Sequence, residues 1–195
     1  MCIRDSGTKY ILFITYNNYQ NGSVRTAAKQ KLDDITNSWM KAINACPDAL
    51  AKETKIAELI CANSKYHLAN DGSIVAEKAN QTIVGCLLDK QCVCAGFSKT
   101  FTYFCHKAGI DCTGVVSDDH AWNMVKINGK WYETCLTAMN QSYTAYYNYD
   151  YVYYASFNRG PGVLHAIFDD GATSGGYVVE DCMKKTFTYP LSLIH

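Results

Sequence analysis

The stretch AWNMVKINGKWYETCL, residues 121–136, decides how the chain folds. Asn128-Gly129 separates two runs rich in β-forming residues, and Asn-Gly is the strongest short hairpin signal because a type I′ turn needs positive φ at both central positions. The stretch therefore predicts two antiparallel strands, AWNMVKI and KWYETCL, with DCTGVV at 111–116 supplying another strand just upstream.

Ahead of this region the hydrophobic period is helical. From Ser23, read as an N-cap, Leu32, Ile35, Trp39 and Ile43 recur at three- and four-residue intervals until Pro47 stops the pattern. A second helix is expected from about Ala49 to Cys61, with Ile56, Leu59 and Ile60 on its apolar side. Within IVGCLLDKQCVCAGFSKTFTYFCHKAGI (83–110), Phe97, Phe101, Phe104 and Cys105 predict a third helix that starts near Cys94 and ends by Gly109. Helices first and antiparallel strands after them make an α+β fold, with the N-terminal helices packed on the sheet. Further on, Tyr147, Tyr149, Tyr151 and Tyr153 alternate, which suggests one more strand whose aromatic face packs on the body of the domain or, as a second reading, walls a substrate.

The two ends, MCIRD and LSLIH, can be translated from one DNA sequence and its reverse complement, as a read-through adapter would be. Residues 1–6 and 191–195 are therefore set aside, leaving a single domain over 7–190 that is expected to be truncated at both ends. No apolar run approaches the roughly 20 residues that span a bilayer. Lys and Arg number 18 against 18 Asp and Glu, interspersed along the chain, so there is no basic footprint for nucleic acid or an anionic membrane. Uncharged or small partners fit better, and the sequence leaves the oligomeric state open.

Ten cysteines are many for 195 residues, and nine remain once Cys2 goes with the adapter. Disulfides in an oxidising compartment would account for such a count. The sequons at Asn21, Asn80 and Asn140 point the same way, so an extracytoplasmic setting is slightly favoured. Nine is odd, however, so at least one thiol is free, and no paired CxxC metal signature occurs.

One of these thiols has the surroundings of a nucleophile. Cys94 falls in the first turn of the third helix, where unpaired N–H groups and the helix dipole favour thiolate. Ala95 and Gly96 beside it are small, which would let a substrate backbone approach and offer amide hydrogens to an oxyanion. His120 opens a strand, where a sheet edge can meet a helix tip, and a neutral imidazole has the right range to accept a thiol proton.

CAGFSKTF (94–101) followed by HAWNMVKINGKWY (120–132) resembles the transglutaminase-like superfamily, whose bacterial members carry Cys-x-Gly-(Tyr/Phe)-(Ala/Ser) at a helix start, then His-Ala-Trp-Asn, then a Lys-Trp-Tyr hairpin strand. The likeness runs most clearly from Thr82 to Thr137 and more faintly back through ETKIAELICANSKY (53–66), which resembles the family's helix leading to a tyrosine. It implies a papain-like α+β core with Cys94 as nucleophile and His120 as base, and a protein or peptide substrate. It implies no required cofactor, although some family members use calcium. Cys92 stands where the family usually has glycine. Trp122 is counted with Ala95 and Gly96 among the substrate and oxyanion residues, its plainer reading being that it packs beneath the site.

The family's third residue is an aspartate four positions after the hairpin tryptophan, and counting from Trp131 reaches Cys135. A triad acid holds the imidazole in the right tautomer and stabilises imidazolium, whereas a thiol carries no fixed charge at neutral pH. Several readings of Cys135 stay open. Glu133 could substitute if the strand slipped, since two residues span about 6.6 Å along a strand. Cys135 could ionise beside protonated His120, pair with a nearby thiol and make activity redox-dependent, or mark a decaying site. Cys92, Cys94, Cys135 and His120 could also form a Cys₃His zinc site. For the oxyanion, Asn80 and Gln81 are further candidates, with Gln91 on the wrong side of the turn. Asp118 and Asp119 read as a solvated loop, and His165 has no motif around it. The leading reading is a peptidase, amidase or transglutaminase working through a thioester, and the alternative is a family module that has lost turnover and works by binding.

Overall fold

In the computed structural model, the described residues are 2–4, 11–13, 21–117, 119–140, 156–160 and 164. The Tyr147–Tyr153 alternation, Asp118 and His165 lie outside them. Near the start, β1 (Cys2–Arg4) and β2 (Ile11–Phe13) pair antiparallel.

Helix α1 (Gly22–Asn44) begins one residue before Ser23, and its N-cap is Asn21, whose side chain accepts the Ser23 N–H at 2.9 Å. Ser23 was the expected cap; Asn21 takes the post because its carbonyl oxygen reaches the second helical amide. Helix α2 (Ala49–Asn63) is capped by Asp48, which accepts the Ala51 N–H at 2.8 Å. Its C-terminal carbonyls are met from across the molecule: Asn140 Nδ2 donates to Cys61 O and to Ser64 O, both at 2.9 Å.

Beyond α2 the chain runs through β3 (Lys65–Tyr66), then a 3₁₀ turn at Ala79–Gln81 and a π-turn at Gly85–Asp89. Lys90, at φ 56°, reverses it into β4 (Gln91–Cys92), which lies parallel to β3 with Tyr66 opposite Cys92. Helix α3 (Cys94–Lys107) starts where the Phe97, Phe101, Phe104 period placed it, and those rings are fully buried.

The strands form one antiparallel sheet in the order β5 (Cys112–Val116), β6 (Ala121–Ile127), β7 (Lys130–Thr134). Ile127 pairs with Lys130 across Asn128 and Gly129, whose φ values of 51° and 79° are the left-handed pair that a type I′ turn requires. The main core lies between α3, α2 and one face of the sheet. It is built from Ile56, Ile60, Phe97, Phe101, Phe104, Val125 and Ile127 among others, while Trp122, Met124, Val115, Cys135 and Leu164 pack together as a second cluster. Strand β7 ends at Thr134, one residue before Cys135, and the chain turns at once into the short helix α4 (Leu136–Asn140).

Glu53, on α2, is fully buried and meets the far end of the chain, with Asn158 Nδ2 donating to its Oε2 at 2.9 Å and the Thr134 hydroxyl bonding it as well. Burial pushes this carboxyl from 4.5 up to about 7, against the pull of those two hydrogen bonds. Because the folded protein holds this proton more tightly than the unfolded chain does, the stabilising share of Glu53 is full below pH 4.5 and is lost as pH rises through about 7. The loss amounts to roughly 3 kcal/mol at one pKa unit per 1.36 kcal/mol. Denaturant unfolding followed between pH 4 and 8 should therefore show stability declining across this window, and Glu53→Gln should flatten the decline. Equal slopes in the two proteins would refute a buried, titrating Glu53.

Candidate active site

Three pieces of chain converge at the N-terminal tip of α3. The first is Cys94 itself, the opening residue of the helix and partly exposed. Its thiol takes hydrogen bonds from the backbone N–H groups of Ala121 and Ala95 and from the Tyr66 side chain. Ala121 directly follows His120, so the sulfur lies against the start of β6. Burial nevertheless outweighs these donors and pushes the Cys94 thiol above its ordinary value. The helix-start amides do pull the thiol down, as expected from the sequence, but the loss of water around the sulfur is the larger effect.

The second piece is the segment that holds His120. Ser117 N donates to His120 O at 2.9 Å, and His120 N donates to Ser117 Oγ at 3.2 Å, which closes the turn leading into β6. The imidazole stacks on Trp122 with ring centroids 5.8 Å apart and planes 19° from parallel. Trp122 is buried beneath it. Burial lowers His120 from 6.5 to about 4, with exposed Asp119 acting weakly the other way, so the ring is neutral at pH 7.

The third piece is Cys135. His120 Nε2 lies 3.3 Å from Cys135 Sγ. The residue standing where the family has its acid is thus the residue that the imidazole meets. Cys135 also starts α4: its carbonyl accepts from Met139 N at 3.1 Å and its sulfur from Ala138 N at 3.5 Å. The thiol occupies an N-cap, a post for which Asp, Asn and Ser are the favoured residues. Burial drives it up to about 12, only partly offset by the amides of Ala138 and Thr137, so it is uncharged at neutral pH.

Glu133 does not stand in for the missing acid. The strand has not slipped, since Glu133 pairs with Met124 in regular register. Its buried Oε2 accepts Leu164 N at 2.6 Å, and its backbone exchanges two 2.8 Å hydrogen bonds with Arg159.

Three residues proposed from the sequence for the oxyanion have other partners. Gly96 N–H donates to Val93 O at 2.9 Å, and a Cβ at this position would sit 2.6 Å from both Asn80 O and Cys92 Cβ. Its smallness serves the seating of α3 against the chain behind it, because backbone and Cys92 fill the space where a substrate would have to lie. Asn80 is buried, with Nδ2 held by Val75 O and by His67 Nδ1 at 2.9 Å, while Gln81 Nε2 donates to Ala76 O at 3.2 Å. Ala95 keeps its place beside the sulfur.

Tyr66 is the residue at this tip to which sequence reading gave no role, although it ends the ETKIAELICANSKY likeness. Its hydroxyl is hydrogen-bonded to the Cys94 thiol and accepts the Cys94 backbone N–H, and burial, followed by the charge of Cys94, pushes it up to about 12. Asn123, the last residue of the His-Ala-Trp-Asn motif, is a latch: its Nδ2 donates to Ser98 O at 3.1 Å and to Thr102 Oγ1 at 2.9 Å, while Ser98 Oγ donates back to Trp122 O at 2.9 Å. Among the described residues, no group of three or more His, Cys, Asp or Glu side chains converges as a metal site. Among them too, no helix is long and apolar enough to cross a membrane.

No curated protein matches the sequence. Among solved structures, a chain described as a TGase is similar at a TM-score of 0.49 and 13% identity, over 72% of this chain and 38% of that one. A candidate cysteine protease from Cytophaga hutchinsonii is similar at a TM-score of 0.40 and 18% identity, over 54% of this chain and 37% of that one. The chain thus spans less than two fifths of either structure's length. The family model described as the transglutaminase-like superfamily matches residues 37–134, from the middle of α1 to the end of β7, which is half of the chain, and the protein belongs to that superfamily.

Proposed function

We propose that the protein is a cysteine-dependent acyl-transfer enzyme acting on peptide or glutamine side-chain amides, with Cys94 as nucleophile and His120 as base. The observation that carries this reading is the line of contacts from the Cys94 sulfur, against the Ala121 amide, to the adjoining imidazole whose Nε2 meets residue 135. With Nε2 engaged there, Nδ1 is the nitrogen that takes the thiol proton. The sulfur attacks the carbonyl carbon, and the proton passes from His120 to the departing amine as the tetrahedral oxyanion collapses to a thioester. Water or a second amine then releases the acyl group, and which of the two arrives decides between hydrolysis and crosslinking. The Cys94 N–H, which now points at the Tyr66 hydroxyl, and the Tyr66 O–H are the donors best placed for the oxyanion.

Cys135 supports the rival reading, a family module that binds without turnover. A carboxylate can only accept a hydrogen bond, so it fixes the proton on Nε2 and frees Nδ1 as a base. A thiol can accept from Nε2–H or donate to bare Nε2, so it leaves both tautomers populated and adds no charge to steady imidazolium.

Exchange of the thiol for a carboxylate separates the two readings. Cys135→Asp should raise amine release from peptide amides by roughly tenfold or more, since loss of a triad acid's proper function costs up to about 10⁴. An inert Cys135→Asp protein with an intact fold would point to the binding module. The same variant should move the acid limb of the pH profile. In the wild type it should lie near pH 4, where His120 titrates, and it should shift upward once a carboxylate favours imidazolium.

Iodoacetamide provides a test independent of substrate. Because Cys94 is raised and His120 neutral, wild-type labelling of Cys94 should accelerate steadily into the alkaline range, whereas Cys135→Asp should label Cys94 at pH 6–7 in a manner abolished by His120→Ala. Tyr66→Phe should lower kcat by roughly 100-fold with little change in KM if the hydroxyl serves the oxyanion. An unchanged kcat would remove Tyr66 from the mechanism.

A further inference from the structure

Helix α2 carries a buried carboxyl that the candidate site does not use. Asn158 Nδ2 donates to Glu53 Oε2 at 2.9 Å, which joins one arm of each side chain. The other two arms, Glu53 Oε1 and Asn158 Oδ1, are closed to water and have no hydrogen-bond partner among the described residues. With Glu53 ionised this pairing is costly, because a carboxylate and an amide oxygen can both only accept. Turning the amide over merely moves the mismatch to Oε2. A proton on Glu53 removes it, since a carboxylic acid donates from one oxygen and accepts at the other, which complements a primary amide.

Asn158 belongs to a short segment, residues 156–160, that lies along β7, the edge strand of the three-stranded sheet. Arg159 and Glu133 exchange two backbone hydrogen bonds of 2.8 Å, Asn158 N donates to Thr134 Oγ1 at 3.1 Å, and Cys135 N donates to Ser156 O at 2.9 Å. The segment that Glu53 grips therefore pins the backbone of residue 135, whose sulfur lies 3.3 Å from His120 Nε2. Around Glu53, the Cys105 thiol of α3 couples to its charge, and Thr134 and Asn158 face it from β7 and the segment. Glu133 spends its Oε2 on Leu164 N, and Arg159 is exposed. Among the described residues no lysine, arginine or histidine forms an ion pair with Glu53.

We propose that Glu53 and Asn158 form a cyclic acid–amide pair, with protonated Oε1 donating to Asn158 Oδ1, and that this pair is a proton-operated clasp seating residues 156–160 on β7 and residue 135 against the imidazole. The clasp acts on the placement of residue 135 whether or not Cys94 turns over. Release of the proton to water sets two acceptors against each other and leaves a charge in a dry interior. Burial pushes this carboxyl up to about 7, so the clasp is closed at lower pH and loosens as pH rises through neutrality.

Amide hydrogen exchange of the full chain, corrected for the intrinsic rate at each pH, tests the clasp. Between about pH 5.5 and about pH 8.5 the protection of the Glu133, Cys135 and Arg159 amides should fall by roughly tenfold or more, ahead of the Phe104 amide inside α3. Glu53→Gln should keep that protection constant, because its NH₂ group donates to Asn158 Oδ1 where the acid proton did and does not titrate. Asn158→Ala should leave the three amides poorly protected at both ends of the range while Phe104 stays protected. Wild-type protection that does not change with pH, a fall of equal size in Glu53→Gln, or loss only in step with Phe104, as global unfolding requires, would overturn the clasp. Should either variant fail to fold, the wild-type comparison with Phe104 decides alone.

Discussion

The closeness of α3 to the chain behind it is the constraint on which the rest depends. At Gly96 the helix backbone approaches Asn80 O and Cys92 Cβ so nearly that no side-chain carbon fits. On its other side Asn123 Nδ2 donates to Ser98 O and the Ser98 hydroxyl donates to Trp122 O, tying α3 to β6. Held from both sides, the helix tip can deliver the Cys94 sulfur to one place only, beside the Ala121 amide. Asn123 is costly to bury, and the share of the cost that belongs to its amide nitrogen is met by carbonyl and hydroxyl partners on α3, while its buried Oδ1 has no hydrogen-bond partner among the described residues. Such polar latches fix relative position more sharply than greasy contact does, since a small sliding breaks them.

The contact between His120 and residue 135 is geometric inheritance without the accompanying charge. The turn from β7 into α4 brings side chain 135 under the imidazole, and the first-turn amides of α4 converge on the same atom. That is an environment suited to an anion: a ring able to carry a proton and backbone N–H groups on one side. A thiol fills the position with correct placement and the wrong ionisation, because burial raises its proton affinity more than these donors lower it. The neutral state of His120 has the same origin, for burial lowers its proton affinity more than the exposed Asp119 charge raises it.

Much of this was legible in the residues themselves. The Phe97–Phe101–Phe104 spacing located α3, and Asn128-Gly129 located the hairpin, because each rests on local stereochemistry that tertiary structure did not override. The likeness of the Cys94 and His120 segments to a known family singled out position 135, and the structure has that side chain against the imidazole. Three things could not be read. The lack of room for a side chain at Gly96 depends on where the 3₁₀ turn behind it runs, a contact distant in sequence. The nearness of Tyr66 to Cys94 comes from β3 and β4 lying in parallel, a two-residue pairing with no hydrophobic period to announce it. The upward push on Cys94 is a matter of solvent exclusion, which a one-dimensional reading of helix position does not contain.

The amide nitrogen of Asn140 is spent on the carbonyls that end α2, and that of Asn80 on Val75 O and His67. Attachment of a glycan uses that same nitrogen and needs it outside the protein. Two of the three sequons are therefore closed to sugar once the chain has folded. Only Asn21, exposed at the head of α1, could carry an oligosaccharide, and it would do so while its carbonyl oxygen went on capping the helix.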